Sequence, residues 1–258
     1  MTIFTADDAA FFILVLARVG GTLSVAPVFG SRVVPPGVKA ALALALAVVF
    51  VPIVPRPAPS PSGLELLPSA AGEAAVGLAM GFAASLLFAG VQMGGAIVDQ
   101  ELGLSLASAL DPAGGEPVAL VAQFKLLMAG AAYVLVDGHH LLLSALADSY
   151  RAVPLRGLAF PAGADAAVAA IGAGLFAGAV KVAAPALVAV FAATLALALV
   201  ARAMPAMGAV VSALPARLAI GLAVLAAATG AFVSGFAASV REGDDLVRTV
   251  LSVMGGRP

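Results

Sequence analysis

The sequence predicts an all-α, polytopic membrane protein. Of its 258 residues, 62% are hydrophobic and only 10% are charged, and the mean hydropathy is +1.13. Soluble domains contain roughly 45–50% apolar and about 25% charged residues. Apolar runs of about twenty residues, long enough to cross a hydrocarbon layer as helices, recur along the chain. Because a spanning segment must satisfy its own backbone groups, and because the alternation typical of barrel strands is absent, we expect these runs to be helices.

Six apolar runs are long enough to be spans, and a shorter run lies between the fourth and the fifth. Residues 139–153 are too short for a comfortable crossing and are typical of an interfacial or re-entrant helix. Pro185, near the middle of the fifth run, is expected to kink or break that helix. A charged tail after residue 240 is expected to leave the membrane. The predicted spans are 9–28, 38–54, 74–98, 118–136, 164–200 and 218–240.

Residues 92–117 form the one long polar interruption of the apolar sequence. This segment has four carboxylates and no Lys or Arg, yet it keeps several leucines, so we expect an amphipathic lining or lid rather than a linker. Pro112 followed by Gly114 and Gly115 is typical of a turn, because Pro sets one dihedral angle and Gly frees another. The carboxylates are those of Asp99, Glu101, Asp111 and Glu116.

Glycines spaced four residues apart occur in three predicted helices. This spacing puts small residues on one helix face, where two helix backbones can approach closely. We therefore expect tight helix packing at these positions, with neighbours in this chain or in another. The pairs are Gly77 with Gly81, Gly90 with Gly94, and Gly174 with Gly178.

Arg18, Lys125 and Lys181 place charged groups inside predicted spans, and Gln92 adds an uncharged polar group. A charge at the centre of a membrane costs about 2.5–3.5 kcal/mol on insertion scales, so each needs a partner or water. Two interpretations stay open for the charged residues. They form a polar path through the membrane, or they lie near helix ends and lock helix contacts.

No catalytic, cofactor or metal site is expected. The chain has no cysteine, which excludes thiolate metal sites, and its net charge of -1 gives no reason to expect nucleic acid. His139 and His140 are adjacent, so on a helix they should point about 100° apart, and a structural cap is favoured over a metal site with Asp137. The glycine pairs lack the Lys that follows in phosphate-binding loops.

Several strings in order resemble the FliR family of flagellar export proteins, which includes the export-gate subunit of virulence type III secretion systems. They cover the chain from about Arg18 to Leu222. Gly208 and Thr194 depart from the usual pattern of the family. The strings are ARVGGTLSVAPVFGSRVVPPGVKAALALALA, GFAASLLFAG leading into QMGGAIVDQELGLSLASALDP, VDGHHLLLSALADSYRAVPL, and AAP at 183–185 followed by ARAMPAMGAVVSALPARLAIGL.

The resemblance implies a noncatalytic subunit of a type III export gate in the bacterial inner membrane, at the flagellar basal body. It implies FliP-type and FliQ-type partners, an FlhB-type switch protein, and unfolded proteins as cargo. Residues 1–160 would be the FliP-like part with a gate loop at about 99–117, and 161–258 a FliQ-like hairpin with a polar tail. The plug or gate loop falls on Gly103, Leu104, Ser105, Leu106, Asp111, Pro112, Gly114 and Gly115.

Three alternatives remain at this point. A virulence gate subunit is less favoured than a flagellar one on the strings APVFGSR and DGHH. A small solute permease would use the charged residues in the spans and a helix broken at Pro185. An intramembrane hydrolase would use His139 or His140.

Overall fold

The computed structural model describes residues 5–31, 33–56, 63–104, 119–157 and 214–255, together with scattered helical positions between 173 and 202. All regular secondary structure in these residues is helical, which confirms the predicted fold class. We number the continuous helices in chain order. They are α1 (Ala6–Val25), α2 (Pro36–Phe50), α3 (Gly63–Leu102), α4 (Leu120–Leu135), α5 (Gly138–Ala152) and α6 (Leu214–Met254).

Local sequence explains where the first two helices begin. Thr5 caps α1, because its hydroxyl accepts a hydrogen bond from the Asp8 amide and the Asp8 carboxylate accepts one from the Thr5 amide. Pro36 is the first residue of α2, where its missing N–H leaves no hydrogen bond unmade. Both helices lie within a few residues of the predicted spans.

The long helix α3 differs from the sequence prediction at both of its ends. It begins before the predicted span 74–98 and contains Pro68 near its start. It also continues through the first part of the polar segment to Leu102. Val91, Val98 and Leu102 are fully buried on one face, and that apolar stripe explains why the helix persists where the sequence turns polar.

Helices α4 and α5 meet at a 65° bend. Asp137 at this bend has a left-handed backbone conformation, with φ of 58°. The bent pair is apolar enough to be a broken span or a re-entrant segment, in agreement with the interfacial or re-entrant helix predicted at 139–153.

Helix α6 continues through the charged tail instead of ending near residue 240. Its last turns bury Val247, Val250, Leu251 and Met254, whose spacing is that of one helix face. Arg248 on the same helix pairs with Asp148 of α5 and with Asp244. The charged residues of the tail therefore lie on a helix whose other face is apolar and buried.

Three described helices are long and apolar enough to cross a membrane: α1, α3 and residues Leu218–Met254 of α6. The bent pair of α4 and α5 would make a fourth, and α2 is a shorter apolar helix. The predicted fifth span, 164–200, lies mostly outside the described residues, as do Gly174, Gly178 and Lys181.

The chain divides into two compact units. Unit 1 comprises Met1–Leu87, Val136–Ala173 and Val240–Pro258, and unit 2 comprises Phe88–Leu135 and Gly174–Ser239. The core of unit 1 combines apolar residues of α1, α2, α3, α5 and the end of α6.

Helices α1 and α3 of unit 1 approach closely at three glycines. A Cβ atom at Gly77 would overlap the carbonyl oxygen of Arg18, and one at Gly81 would overlap that of Thr22. On α1, a Cβ at Gly21 would meet the carbonyl oxygen of Ala74. The pair predicted at 77 and 81 thus lies on the face that packs on α1, while Gly90 and Gly94 are buried further along α3.

We expect Gly77→Ala to lower the free energy of unfolding by about 1–3 kcal/mol, because the added methyl group must displace the α1 backbone. Gly20→Ala is the matched control on α1, since no atom lies within 4 Å of a Cβ there. The control should leave stability unchanged or slightly raised. Unfolding midpoints of the purified variants in detergent test this, and equal losses for both would contradict it.

Candidate functional site

A buried ion pair joins α1 to α3 in unit 1. Arg18 is 0% exposed and Glu73 is 2% exposed. The Arg18 Nε donates to Glu73 Oε2 at 2.7 Å, and Nη2 lies 2.5 Å from the same oxygen. An arginine buried in this way requires such a partner, because an isolated charge in the interior is far more costly than a paired one.

The remaining polar atoms of the pair have partners from α5 and the turn after it. Arg18 Nη1 donates to the carbonyl oxygen of Ser149 at 3.0 Å and to its hydroxyl at 3.2 Å. Glu73 Oε1 accepts from the Arg156 amide at 2.8 Å. The guanidinium carbon of Arg18 lies 4.5 Å from the ring centre of Tyr150, whose hydroxyl donates to the Val15 carbonyl.

These contacts distinguish the two interpretations of Arg18, as part of a polar path or as a group that locks helix contacts. Its guanidinium bonds to α3 and α5 at once, which is the arrangement of a helix lock and not of an open polar path. Arg156, whose amide donates to Glu73, also pairs through its Nη2 with Glu65 Oε2 at 3.0 Å. Positive and negative side chains therefore alternate from the buried Arg18 to the more exposed Glu65. The group of Arg18, Glu73, Ser149, Tyr150 and Arg156 is called the arginine lock below.

Sequence reasoning missed Glu73, which lies just before the predicted third span. A usable signal was present, because Glu73, Gly77 and Gly81 are spaced four apart and so share one helix face. A carboxylate on the face that makes the closest helix contact must meet a partner there.

In unit 2, Asp99 links the end of α3 to the start of α4. Its carboxylate is 3% exposed, and its two oxygens accept hydrogen bonds from the amides of Val121 at 3.0 Å and Ala122 at 3.1 Å. These amides belong to the first turn of α4, where backbone donors have no partner inside the helix. A side chain from α3 therefore caps α4.

The predicted gate loop is described only at its beginning. Gly103 ends α3 with φ of 74°, and its amide donates to the Gln100 carbonyl. Leu104 packs against the buried cluster of Val98, Leu102 and Val121. Outside the described residues lie Ser105, Leu106, Asp111, Pro112, Gly114 and Gly115.

Lys125 of α4 is 7% exposed and lies against an aromatic group of unit 2. Its Nζ is 5.3 Å from the ring centre of Phe232. Edge-to-face contacts join Phe88 to Tyr133 and to Phe236, each with 5.5 Å between ring centres. Gln92 is exposed on α3 and is not part of this group.

Asp137, His139 and His140 come together at the bend before α5. Their ligand atoms lie within 4.8 Å of one another, so these groups could hold a divalent cation. The two rings lie 4.1 Å apart, closer than adjacent helix positions suggested, and His140 Nδ1 is 3.0 Å from Asp137 Oδ1. The Ser144 hydroxyl donates to the Leu141 carbonyl, so it makes no nucleophile–base pair with His140.

We expect Glu73→Gln to lower the free energy of unfolding by about 3–5 kcal/mol, because it leaves the Arg18 charge buried without its counterion. The double variant Arg18→Met with Glu73→Met should lose less free energy of unfolding than the sum of the losses in Arg18→Met alone and Glu73→Met alone. Glu65→Gln is the control, since an exposed pair contributes only about 0–1 kcal/mol. Additive losses in unfolding experiments on purified protein would refute the lock.

Comparison with known proteins matches most of the sequence to one family. The family described as "Bacterial export proteins, family 1" matches residues 9–243. The chain is 29% identical over 212 residues to the "Flagellar biosynthetic protein FliR" of Escherichia coli (strain K12), covering 82% of this chain and 81% of that protein. It is 32% identical over 140 residues to the protein of the same name from Bacillus subtilis (strain 168), covering 54% of each. The chain therefore belongs to the FliR family of bacterial export proteins.

Proposed function

We propose that this protein is a noncatalytic membrane subunit of the flagellar type III protein export gate. The observation that carries the proposal is the family match over residues 9–243, which overlaps every continuous helix of the structure. Long apolar helices support a position in a membrane, and the names of the relatives support the bacterial inner membrane at the flagellar basal body as its place. The names of the relatives favour a flagellar gate over a virulence gate.

In this proposal the chain acts with FliP-type and FliQ-type subunits and an FlhB-type switch protein. Extensive exposed apolar surface on α2 and α4 supports an assembled state, because such surface must be covered by lipid or by other subunits. The division into a FliP-like part, 1–160, and a FliQ-like part, 161–258, belongs to the same proposal. The exposed apolar residues are Val38, Leu44, Val48 and Val49 on α2, and Leu120, Phe124, Leu127, Val134 and Leu135 on α4.

The gate loop, at about 99–117, is proposed to block the pore at rest. Displacement by a passing unfolded chain would exchange contacts of the loop for contacts of the cargo. Gly103, Gly114 and Gly115 would supply backbone freedom for that movement, and the left-handed conformation of Gly103 is one that other residues rarely adopt. The leucines of the loop would pack against the pore wall, and its carboxylates would keep it partly hydrated, so that it can be displaced from the pore.

The structure weakens two other candidates. A permease site would need Arg18 available to solute, whereas Arg18 is buried in the arginine lock. A hydrolase using His140 would need a nucleophile at hydrogen-bonding distance, and Ser144 bonds to the backbone of its own helix.

Deleting residues 104–110 should make the assembled gate leaky to small ions, because it removes much of the proposed barrier while leaving α3 and α4 in place. Ion flux into vesicles that contain the complete gate is the measurement. The intact chain, assembled with the same partners, is the control. Unchanged permeability of the deletion variant in a fully assembled complex would argue against the plug.

Extraction in mild detergent should recover this chain with two different small membrane proteins, of the FliP and FliQ types. Mass spectrometry of the purified complex identifies the components. A chain that purifies alone, or only with copies of itself, would exclude the export-gate proposal and favour a permease.

A further inference from the structure

We propose that Asp137, His139 and His140 form a binding site for one divalent transition-metal ion of the zinc type. Two imidazole nitrogens and one carboxylate oxygen hold the ion at the start of α5. The ion fastens the turn in which its three ligands lie, and no reaction is assigned to it. The inference does not rest on the export-gate proposal, and it reverses the preference for a structural cap that the sequence gave reason to expect.

The first step is the distribution of metal-binding side chains along the chain. The sequence contains two histidines and no cysteine, and both histidines lie in this cluster. Imidazole is the commonest metal ligand among protein side chains. A metal ion that binds this chain through side-chain nitrogen or sulfur of these kinds must therefore bind here.

The second step is the distance between the ligand atoms. One ligand atom from each of the three side chains lies within 4.8 Å of the other two. Ligands of a tetrahedral zinc ion lie about 2.0–2.2 Å from the metal and therefore roughly 3.3–3.5 Å from one another. The side chains of Asp137 and His140 are 70% and 68% exposed, so rotation about their own bonds closes the difference. The same exposure gives the ion an open path from solvent.

The third step is the backbone of the turn. Asp137 has φ of 58°, a left-handed conformation that Asp tolerates better than most residues. Its carbonyl accepts hydrogen bonds from the amides of His140 at 2.9 Å and Leu141 at 3.2 Å. Its carboxylate makes no capping hydrogen bond to the helix, so the expected structural cap is not formed by this side chain. The carboxylate lies beside an imidazole instead, with Oδ1 3.0 Å from His140 Nδ1.

The fourth step concerns the ring nitrogens. When His140 Nδ1 donates to Asp137, the lone pair of that ring is on Nε2, as in carboxylate–histidine–metal arrangements. His139 Nδ1 is shielded from solvent and, within the part of the chain that the structure describes, has no hydrogen-bond partner. A shielded polar atom without a partner is uncommon in native proteins, and a bound ion is one of the arrangements that satisfy it.

The ligand set selects the class of ion. Two nitrogens and one oxygen suit Zn²⁺, Ni²⁺ and Cu²⁺, whereas Mg²⁺ and Ca²⁺ prefer oxygen ligands alone. Three protein ligands leave a coordination position for water. The helix dipole disfavours a cation at the start of α5, and the Asp137 carboxylate compensates for one of its two charges. The affinity must therefore come from the ligand bonds, which is a further reason for an ion that binds nitrogen.

The test uses the full-length chain, purified in detergent through a tag that contains no histidine. Calorimetry measures Zn²⁺ binding, with Mg²⁺ as the comparison ion. Electron paramagnetic resonance of bound Cu²⁺ counts the imidazole nitrogens, and amide hydrogen exchange over residues 138–142 reports on the turn. The variants are His140→Gln, His139→Gln and Asp137→Asn, since Asn also tolerates the left-handed conformation. Asp7→Asn is the matched control, because it removes an exposed carboxylate from the first turn of α1.

We expect one Zn²⁺ per chain and no saturable binding of Mg²⁺ at the same concentrations. Each histidine variant should weaken Zn²⁺ binding by more than about 100-fold and Asp137→Asn by about tenfold or more, since changes to outer-shell partners alone cost about 10–100-fold. Asp7→Asn should bind as the intact chain does. Cu²⁺ should show two imidazole nitrogens in the intact chain and one in each histidine variant. Zn²⁺ should slow exchange of the His140 and Leu141 amides in the intact chain.

Zn²⁺ binding of equal strength in His140→Gln and the intact chain would overturn the inference, because it would mark adventitious binding by exposed carboxylates. Equal competition by Mg²⁺ would overturn it as well. If the pair of Asp137 and His140 only stabilises the turn, the variants will change exchange with no response to Zn²⁺, which excludes the metal site. If His139→Gln does not fold, His140→Gln decides, since its side chain is mostly exposed. Each of these results would leave the export-gate proposal standing.

Discussion

The buried pair of Arg18 and Glu73 is the interaction on which the helix arrangement of unit 1 depends. A guanidinium with no exposed surface cannot bond to water, so each of its donors needs a partner from the protein. Every donor that lacks one raises the free energy of burying the charge. Two helices surround the guanidinium: α3 contributes the Glu73 carboxylate, and α5 contributes the Ser149 carbonyl and hydroxyl and the Tyr150 ring. Shifting any of these elements along its axis would leave the charge unsatisfied, so the pair fixes their register as well as their contact.

The glycine contact and the ion pair support each other. Glu73, Gly77 and Gly81 lie on one face of α3, and Gly77 and Gly81 accommodate the backbone carbonyls of Arg18 and Thr22. Such close approach brings α1 near enough for a short, direct bond between Arg18 and Glu73. A larger residue at Gly77 would therefore act on the electrostatics of the pair as well as on packing. In a membrane, where apolar side chains gain little by leaving lipid, close packing and polar contacts of this kind provide much of the specificity.

Unit 2 uses the same combination in a different place. Gly95 lets the backbones of α3 and α4 touch, and Asp99 one turn later bonds to the amides exposed there. The first part of the polar segment thus has a structural role of its own. As far as Leu102 it is helix with a buried apolar face and a capping carboxylate, and Gly103 ends that helix in a left-handed backbone conformation. The acidic character of the segment, which at first suggests a single wet loop, includes a carboxylate that is buried.

Local composition was sufficient for the class of protein and for the approximate positions of α1, α2, α4 and α5, whereas the family came from the resemblance of several strings to known members. These properties depend on runs of apolar residues and on turn residues, which can be read without knowing any long-range contact. The helical end of α6 could also have been predicted, since Val247, Val250, Leu251 and Met254 have helical spacing that the neighbouring charges obscured. The tertiary structure alone decided that Arg18 pairs with Glu73, 55 residues away, and that Asp99 caps a helix 22 residues further on. Such pairings depend on which faces of two helices meet and on the register of the helices along their axes. The apolar periodicity of a single helix specifies neither.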